Sequence, residues 1–408
     1  MKLVLASAAI AMGLSIGTAR ADTADADALI GADWDSIVEM ARGGEVNFFM
    51  WGGADSINRY VSDVIGGTLE AEYGITLNRI PLTDTADAVN LVLSEKEAGV
   101  TDAGAVDLIW INGVNFRTMK QGGLAWCGYT GTLPNNVLVN WDNPAIANDF
   151  GVPVEGCEVP WSRVQFAFAH DSALTQDPPR SIPELLDWIK ANPGQFTYPA
   201  PPDFTGAAFV RHVFYHAAGG HEGLLGPFDQ QVFDEAAEKT WAILEDIAPH
   251  LWREGRTYPA SITQLEGMFA NREVSLLFSY DPAIFGTGVE NGQFPPTTRS
   301  YGLDDGTLAN TNYTLIPFNS ANKAAALVAQ NVILSGMAQY RKALPDLWGA
   351  APSIEVSRTS PEVQALFEGI ERHPAVVPAQ ELAQASLPEL EADWIAAIEA
   401  GWIDRFGQ

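Results

Sequence analysis

The sequence predicts an α/β fold divided into two lobes, and three observations support that prediction. The chain has 408 residues, enough for two or three domains of ordinary size. Between Glu45 and Ile111, apolar strand-like segments alternate with helical segments, which is typical of a parallel sheet covered by helices. A second series of helices and short apolar segments begins after Asp171. We therefore expect two α/β units, each with its own sheet.

The amino terminus has the features of a secretory leader. Lys2 precedes an apolar run, and Ala19-Arg20-Ala21 matches a cleavage site, so we expect residues 1–21 to be a signal peptide that is removed. The run is too short to span a membrane, and no later segment has about 18 uninterrupted apolar residues. We therefore predict an exported protein with no direct membrane insertion.

The charge of the chain restricts its partners. The formal net charge is −28, and the leader carries two basic residues and no acidic ones, so the mature chain has −30. Such an acidic surface repels phosphate backbones, so we expect no nucleic acid partner. Cys127 and Cys157 are the two cysteines of an exported chain, which favours a disulfide between them over two free thiols.

The first unit supplies two loops that face a ligand. Its predicted helices cover 33–41, 55–73 and 83–99, and its strands cover 45–50, 75–82 and 105–111. Ligands of such sheets bind beyond the carboxyl ends of the strands. The candidate binding residues after the first and third strands are Trp51, Gly52, Asp55, Asn112, Asn115 and Phe116. Residues 126–160, rich in Pro, Gly and Asn, are predicted to form an irregular arm.

The second unit supplies two further loops by the same rule. Its predicted helices cover 182–191, 205–218, part of 228–251, and 262–270, with strands at 195–198 and 274–278. Residues 286–296 are expected to lack regular structure, and 340–408 to be helical. The candidate binding residues are Tyr198, Phe204, Thr205, Tyr280 and Asp281.

The composition of these loops indicates the chemistry of the ligand. Aromatic rings can enclose an organic cation or stack on a sugar, although aromatic residues also fill protein cores. Asp281 could face a cation, or it could cap the helix that follows.

Motifs for catalysis and metal binding are weak. His212 and His216 have the four-residue spacing of zinc ligands on a helix, but no Glu follows the first His. No phosphate-binding glycine loop and no Ser/His/Asp arrangement with a family signature occurs. We therefore expect no metal, no cofactor and no enzymatic activity, with an exported enzyme as the alternative class.

The segment Asn310–Ser335 carries the most specific resemblance. It contains a strand at 313–317, an Asn-Ser turn, and an Ala-rich helix that begins near Asn322 and ends in Leu-Ser. This pattern resembles family 1 extracellular solute-binding proteins, the receptor subunits of ABC importers. The resemblance implies a two-lobed periplasmic-binding-protein fold, with crossing hinge strands and a cleft between the lobes.

The resemblance also implies how the chain is divided. Residues 22–163 and 304–335 would form lobe one, 164–303 lobe two, and 336–408 C-terminal helices that pack on the lobes. The strand at 160–171 would cross between the lobes, with Trp161 and Arg163 near the hinge, and 297–303 would cross back.

A narrower likeness concerns the ligand. The Trp51-Gly-Gly loop, the loop that begins at Tyr198, and Ser279-Tyr-Asp-Pro resemble a branch labelled as thiamine transport. This implies a monomeric periplasmic receptor that closes on its solute and delivers it to an inner-membrane permease and its ATPase. We expect a small organic cation such as thiamine. An anion paired with Arg163 or Arg211 and a stacked sugar are the alternatives.

Overall fold

The computed structural model describes residues 26–407, so the predicted signal peptide lies outside the described residues. The α-helices are α1 Ala26–Gly31, α2 Trp34–Ala41, α3 Asp55–Arg59, α4 Ala86–Glu97, α5 Gly113–Gln121, α6 Pro144–Ala147, α7 Ile182–Ala191, α8 Phe204–Ala218, α9 Gln230–Ile247, α10 Ile262–Ala270, α11 Ala283–Glu290, α12 Lys323–Leu334, α13 Gly336–Ala343, α14 Pro361–Glu368, α15 Ala379–Ala383 and α16 Ala392–Phe406. The strands are β1 Glu45–Trp51, β2 Thr76–Leu82, β3 Leu108–Ile111, β4 Asn148–Asp149, β5 Val152–Pro153, β6 Glu158–Gln165, β7 Ala167–Asp171, β8 Leu276–Ser279, β9 Thr298–Tyr301, β10 Thr307–Leu315 and β11 Ser386–Leu387.

The first sheet has six strands and defines the first lobe. β1 pairs in parallel with both β2 and β3. β10 pairs antiparallel with β3, Tyr313 lying opposite Ile111, and β6 and β11 also pair with β10. The strand at 313–315 therefore returns to the sheet formed by the start of the chain, as we expected. The parallel arrangement places the carboxyl ends of β1, β2 and β3 at one edge of this sheet.

The second sheet has three antiparallel strands and defines the second lobe. β7 lies in the centre, between β8 and β9. The chain passes from the first sheet to the second at Phe166, between β6 and β7, and returns between β9 and β10. The two crossings are adjacent, because the amide of Phe166 donates to the carbonyl of Leu308 at 2.7 Å.

Each lobe has its own apolar core, and the C-terminal part of the chain packs on both. Ile37, Val46 and Leu327 are among the buried residues of the first core, to which Trp348 also belongs. Trp394 and Trp402 of α16 are buried in the core of the second lobe. α16 also contacts α5 of the first lobe, so it spans the two units.

Two sequence-based expectations about the second lobe are wrong. Residues 195–198 form no strand, because the carbonyls of Gln195 and Phe196 accept hydrogen bonds from loop amides at Ser275 and Trp252. Residues 283–290, which we expected to be partly irregular, form α11. Its Gly288 allows close packing, since a Cβ there would lie 2.3 Å from the Phe294 ring.

Two expected elements are present in altered form. The segment expected as one strand at 160–171 is divided at Phe166 into β6 and β7. The helix expected at 55–73 is helical, but π-helical turns occupy Tyr60–Gly66 and Leu69–Tyr73. The helices at 182–191 and 262–270 match the predicted bounds.

A disulfide joins Cys127 to Cys157, as expected from the cysteine count. It ties the start of the irregular arm to the residue before β6. None of the helices within 26–407 combines the length and the apolar character needed to cross a bilayer.

Candidate ligand-binding cleft

Trp51 ends β1 and lies where the two lobes meet. Its half-buried ring packs against the cores of both lobes and contacts Trp110 edge to face, with 6.3 Å between ring centroids. The ring covers Gly53 so closely that a Cβ there would lie 2.3 Å from it. The glycine loop therefore allows the indole to lie flat over the backbone at the carboxyl edge of the first sheet.

A cluster of indoles supports Trp51 from the first lobe. Trp161 lies 4.9 Å from both Trp110 and Trp348, measured between ring centroids, and it is fully buried. The Nε1–H of Trp348 donates to the carboxylate of Asp281, which follows β8 in the second lobe. This hydrogen bond joins the two lobes directly, and burial raises the pKa of Asp281 to about 6.

Asp203, in the second lobe, holds the starts of two helices together. Its Oδ1 accepts hydrogen bonds from the amides of Thr205 and Gly206 at 3.0 and 2.8 Å, which caps α8. Its Oδ2 accepts from the amide of Ile262 at 3.1 Å, which joins the start of α10 to the start of α8. Burial raises the pKa of Asp203, and Asp84 in the loop after β2 adds a repulsive charge from the first lobe.

Glu266 completes a group of three carboxylates and was missed by the sequence analysis. It lies on α10 with only 5% of its surface exposed. Burial, together with the charges of Asp203 and Asp281, raises the pKa of Glu266 to about 8. Within residues 26–407 its carboxylate has no hydrogen-bond or ion-pair partner. A signal was available in the sequence, because Glu266 shares an otherwise apolar helix face with Ile262 and Phe269.

Phe204 is the most exposed of the predicted cleft aromatics. The residue is 41% exposed at the start of α8, and the guanidinium of Arg211 lies 5.9 Å from the centroid of its ring. The Phe204 ring lies 5.0 Å from the ring of Tyr280 and 6.3 Å from that of Phe150, both measured between centroids. It can therefore offer one face to a bound solute.

Tyr280 and Arg211 are engaged with each other and with the C-terminal segment. Arg211 is buried, and its Nε lies 3.1 Å from Oε2 of Glu389. Its Nη2 donates to the Tyr280 hydroxyl at 2.9 Å, and that hydroxyl donates to Glu389. Because Glu389 neutralises the guanidinium, Arg211 offers no free charge to an anionic solute.

The remaining predicted residues lie in other settings. Phe116, Trp161 and Tyr198 are buried in cores, and Thr205 is buried in the first turn of α8. Asn112 donates through Nδ2 to Asn312 at 2.8 Å, and Asn115 and Gly52 are half-buried. The side chains of Asp55 and Arg163 are exposed. Trp51 is connected to Asp281 through Trp110 and Trp348, and Phe204 contacts Tyr280, the residue before Asp281. The other predicted residues have packing or surface positions.

His212 of α8 has structural contacts, whereas His216 is exposed. His212 is buried, its Nδ1 donates to the carbonyl of Ala208, and its Nε2 accepts from the amide of Leu308 at 3.1 Å. Burial lowers the pKa of His212 to about 3, so the ring is neutral. Both nitrogens of His212 are therefore occupied by the backbone.

A further basic residue missed by the sequence analysis lies beside Gly52. Nη1 of Arg79 donates to Oδ1 of Asn58 at 3.1 Å, and Asn58 donates to the carbonyl of Gly52 at 2.9 Å. The Nε atom of Arg79 is buried and has no hydrogen-bond partner among residues 26–407. This group is therefore a candidate anchor for an anion.

Comparison with known proteins identifies the family. Residues 67–368 match the model of a family described as bacterial extracellular solute-binding protein. The chain belongs to this family. A curated relative, Protein YnjB of Escherichia coli K12, is 36% identical over 377 residues, covering 92% of this chain and 94% of the relative.

Solved structures show the same two-lobed fold. A periplasmic thiamin binding protein aligns with a TM-score of 0.58 and 18% identity, over 89% of this chain and 95% of its own. The periplasmic binding protein AfuA of Actinobacillus pleuropneumoniae, with fructose-6-phosphate bound, aligns with a TM-score of 0.61 and 13% identity, over 89% and 99%. The fold class is confirmed, and the chain is a bacterial extracellular solute-binding protein.

Proposed function

We propose that this receptor works in the periplasm, where it captures a small organic cation, with thiamine as the model compound, and delivers it to an inner-membrane permease. The observation that carries the proposal is the charge of the cleft. Asp203, Glu266 and Asp281 interact electrostatically on the second lobe, and among residues 26–407 none of them forms an ion pair, although the charge of Lys342 acts on Asp281. Phe204 directly follows Asp203, and Trp51 is connected to Asp281 through Trp110 and Trp348. Aromatic rings and carboxylates are the groups that bind organic cations.

The division of the chain is part of this proposal. We assign 22–163 and 304–335 to lobe one, 164–303 to lobe two, and 336–408 to helices that pack on both. The pairing of β10 with β3 and the membership of β7, β8 and β9 in a second sheet support the assignment. Solute would bind between the lobes, with closure about the two crossings at Phe166 and 302–306.

The contacts of the buried basic residues argue against an anionic solute. Arg211 is neutralised by Glu389, and the amide of Gly113 at the start of α5 is already bonded to Asp149. Asp203 likewise occupies the start of α8. One observation favours an anion as the second candidate, namely Arg79 beside Gly52, because the buried Nε of Arg79 has no hydrogen-bond partner among residues 26–407.

Thermal-shift measurement followed by calorimetry on the mature chain tests the proposal. The panel is thiamine, choline and spermidine, with fructose 6-phosphate and maltose as the anionic and neutral members. We expect at least one cation to stabilise the protein, by about 2.7 kcal/mol at a hundredfold excess over its Kd.

Two variants test which residues contact the bound solute. Trp51→Ala should weaken cation binding by about 1 to 2 kcal/mol, because a cation–π contact is lost. Arg79→Gln is the matched control on the same lobe and should leave cation binding unchanged. Tight binding of fructose 6-phosphate that is abolished by Arg79→Gln, with no response to the cations, would refute the cationic assignment.

A further inference from the structure

Glu266 occupies a position that a folded protein rarely gives to a carboxylate. It is 95% buried, since 5% of its surface is exposed, and no described side chain or amide bonds to it. Buried acidic groups are normally paired with a base, a metal or several hydrogen-bond donors. The neighbouring carboxylates are satisfied, because Asp203 accepts three amide hydrogen bonds and Asp281 accepts from Trp348 and from the amide of Ala283.

The charges that face Glu266 come from several elements, and the nearest are acidic. Asp203 precedes α8, and Asp281 follows β8. The charge of Asp84, in the first lobe, raises the pKa of Asp203. The charge of Lys342, on α13, lowers the pKa of Asp281. Lys342 offsets the charge of Asp281, whereas the charges that act on Glu266 are both acidic, so ionisation of all three carboxylates is unfavourable. The unpartnered member, Glu266, is therefore the one that retains a proton in the ligand-free protein.

We propose that Glu266 is the counter-ion of the cationic group of the solute and that it releases its proton to solvent when the solute binds. The proposal rests on the proposed function and states how the cleft would favour a cation over an anionic or neutral solute. A permanent cation replaces the proton between the carboxylates, so the charge of the closed cleft is the same before and after binding. An anionic or neutral solute leaves the proton in place and gains nothing from Glu266.

The raised pKa of Glu266, about 8, supports this exchange at neutral pH. Below that pH a cation must displace the proton, so its affinity should rise with pH up to about 8 and then level off. The aromatic contacts contribute equally at each pH, and Asp281, with a pKa of about 6, is largely ionised above pH 7. The change in affinity between pH 7 and pH 8.5 therefore reports Glu266.

The test is calorimetry with thiamine, choline and spermidine in two buffers of different ionisation enthalpy at pH 7. We expect the wild-type protein to release close to one proton per bound cation, and Glu266→Gln to release almost none. Glu266→Gln should also bind the cation about 30-fold or more weakly at pH 8.5, because one member of a buried charge pair is missing. Glu238→Gln, on the exposed face of α9, is the matched control and should behave as wild type.

The outcomes separate the inference from the function on which it rests. If a cation binds the wild type without proton release, and its affinity is the same from pH 7 to pH 8.5, the inference is overturned and the proposed function stands. Equal binding by Glu266→Gln leads to the same conclusion. If none of the three cations binds the wild type, both proposals fail. The wild-type pH series needs no variant and decides the matter even if Glu266→Gln does not fold.

Discussion

The buried carboxylate of Glu266 should make the ligand-free protein less stable as the pH rises. The pKa of this group is raised from 4.5 to about 8 in the folded protein. The folded state therefore holds a proton that the unfolded state releases. The stabilisation is fully present below pH 4.5 and is lost as the pH rises through 8.

The size of the stability loss follows from the shift in the pKa of Glu266. One pKa unit corresponds to about 1.4 kcal/mol, so the loss of stability relative to pH 4.5 is at most about 3 kcal/mol at pH 7 and about 5 kcal/mol above pH 8. Glutamine has nearly the same shape and cannot ionise. We expect ligand-free Glu266→Gln to match the wild type near pH 4.5 and to exceed it by about 2 to 4 kcal/mol at pH 8.5, after the loops relax.

Urea unfolding of the ligand-free protein at pH 5, 7 and 8.5 measures this difference. The same series on Glu238→Gln controls for the general effect of removing one negative charge from an acidic chain. The reasoning fails if the stability difference between Glu266→Gln and the wild type does not change with pH. It also fails if the variant is the less stable protein at pH 8.5.

Three further predictions concern contacts described above. Arg211→Met should lower the free energy of unfolding by about 3 to 5 kcal/mol in urea, since Glu389 is left buried and unpaired; an unchanged midpoint would contradict the pairing. Trp348→Phe removes the indole hydrogen bond to Asp281 between the lobes, so small-angle scattering should show a larger radius of gyration without ligand; Trp394→Phe, whose indole N–H bonds within one lobe, should not change it. Reduction of the disulfide should lower the free energy of unfolding by about 2 to 4 kcal/mol, and equal urea midpoints with and without reductant would exclude that contribution.

The fold was predictable where local signals agree with tertiary packing. The helices at 182–191 and 262–270 begin at Ser caps and carry apolar faces, so their bounds are encoded within each segment. The return of β10 to the first sheet was predictable from the resemblance of 310–335. The residues at 195–198 look like a strand, but their carbonyls bond to loops distant in sequence, which no local pattern reveals.

The site was predictable only in part, for a related reason. Trp51 was predicted from the rule that ligands bind at strand ends, and it does end β1. Phe204 was predicted by the same rule from a strand at 195–198 that is absent from the described residues. Tyr280 satisfied the same rule, yet its hydroxyl bonds to Glu389, which lies 109 residues further along the chain. Glu266 is inside a helix, and its importance depends on carboxylates brought to it from two other segments.

The position of β10 has a consequence for the order in which the protein can fold after export. β10 joins β3 to β6 within the first sheet, yet it follows all three strands of the second sheet in the sequence. The first lobe therefore cannot complete its sheet until residues near 315 have arrived, whereas β7, β8 and β9 are all available earlier. We expect the second sheet to be the first to acquire protection from hydrogen exchange, and the first sheet to close around β10 in a later step.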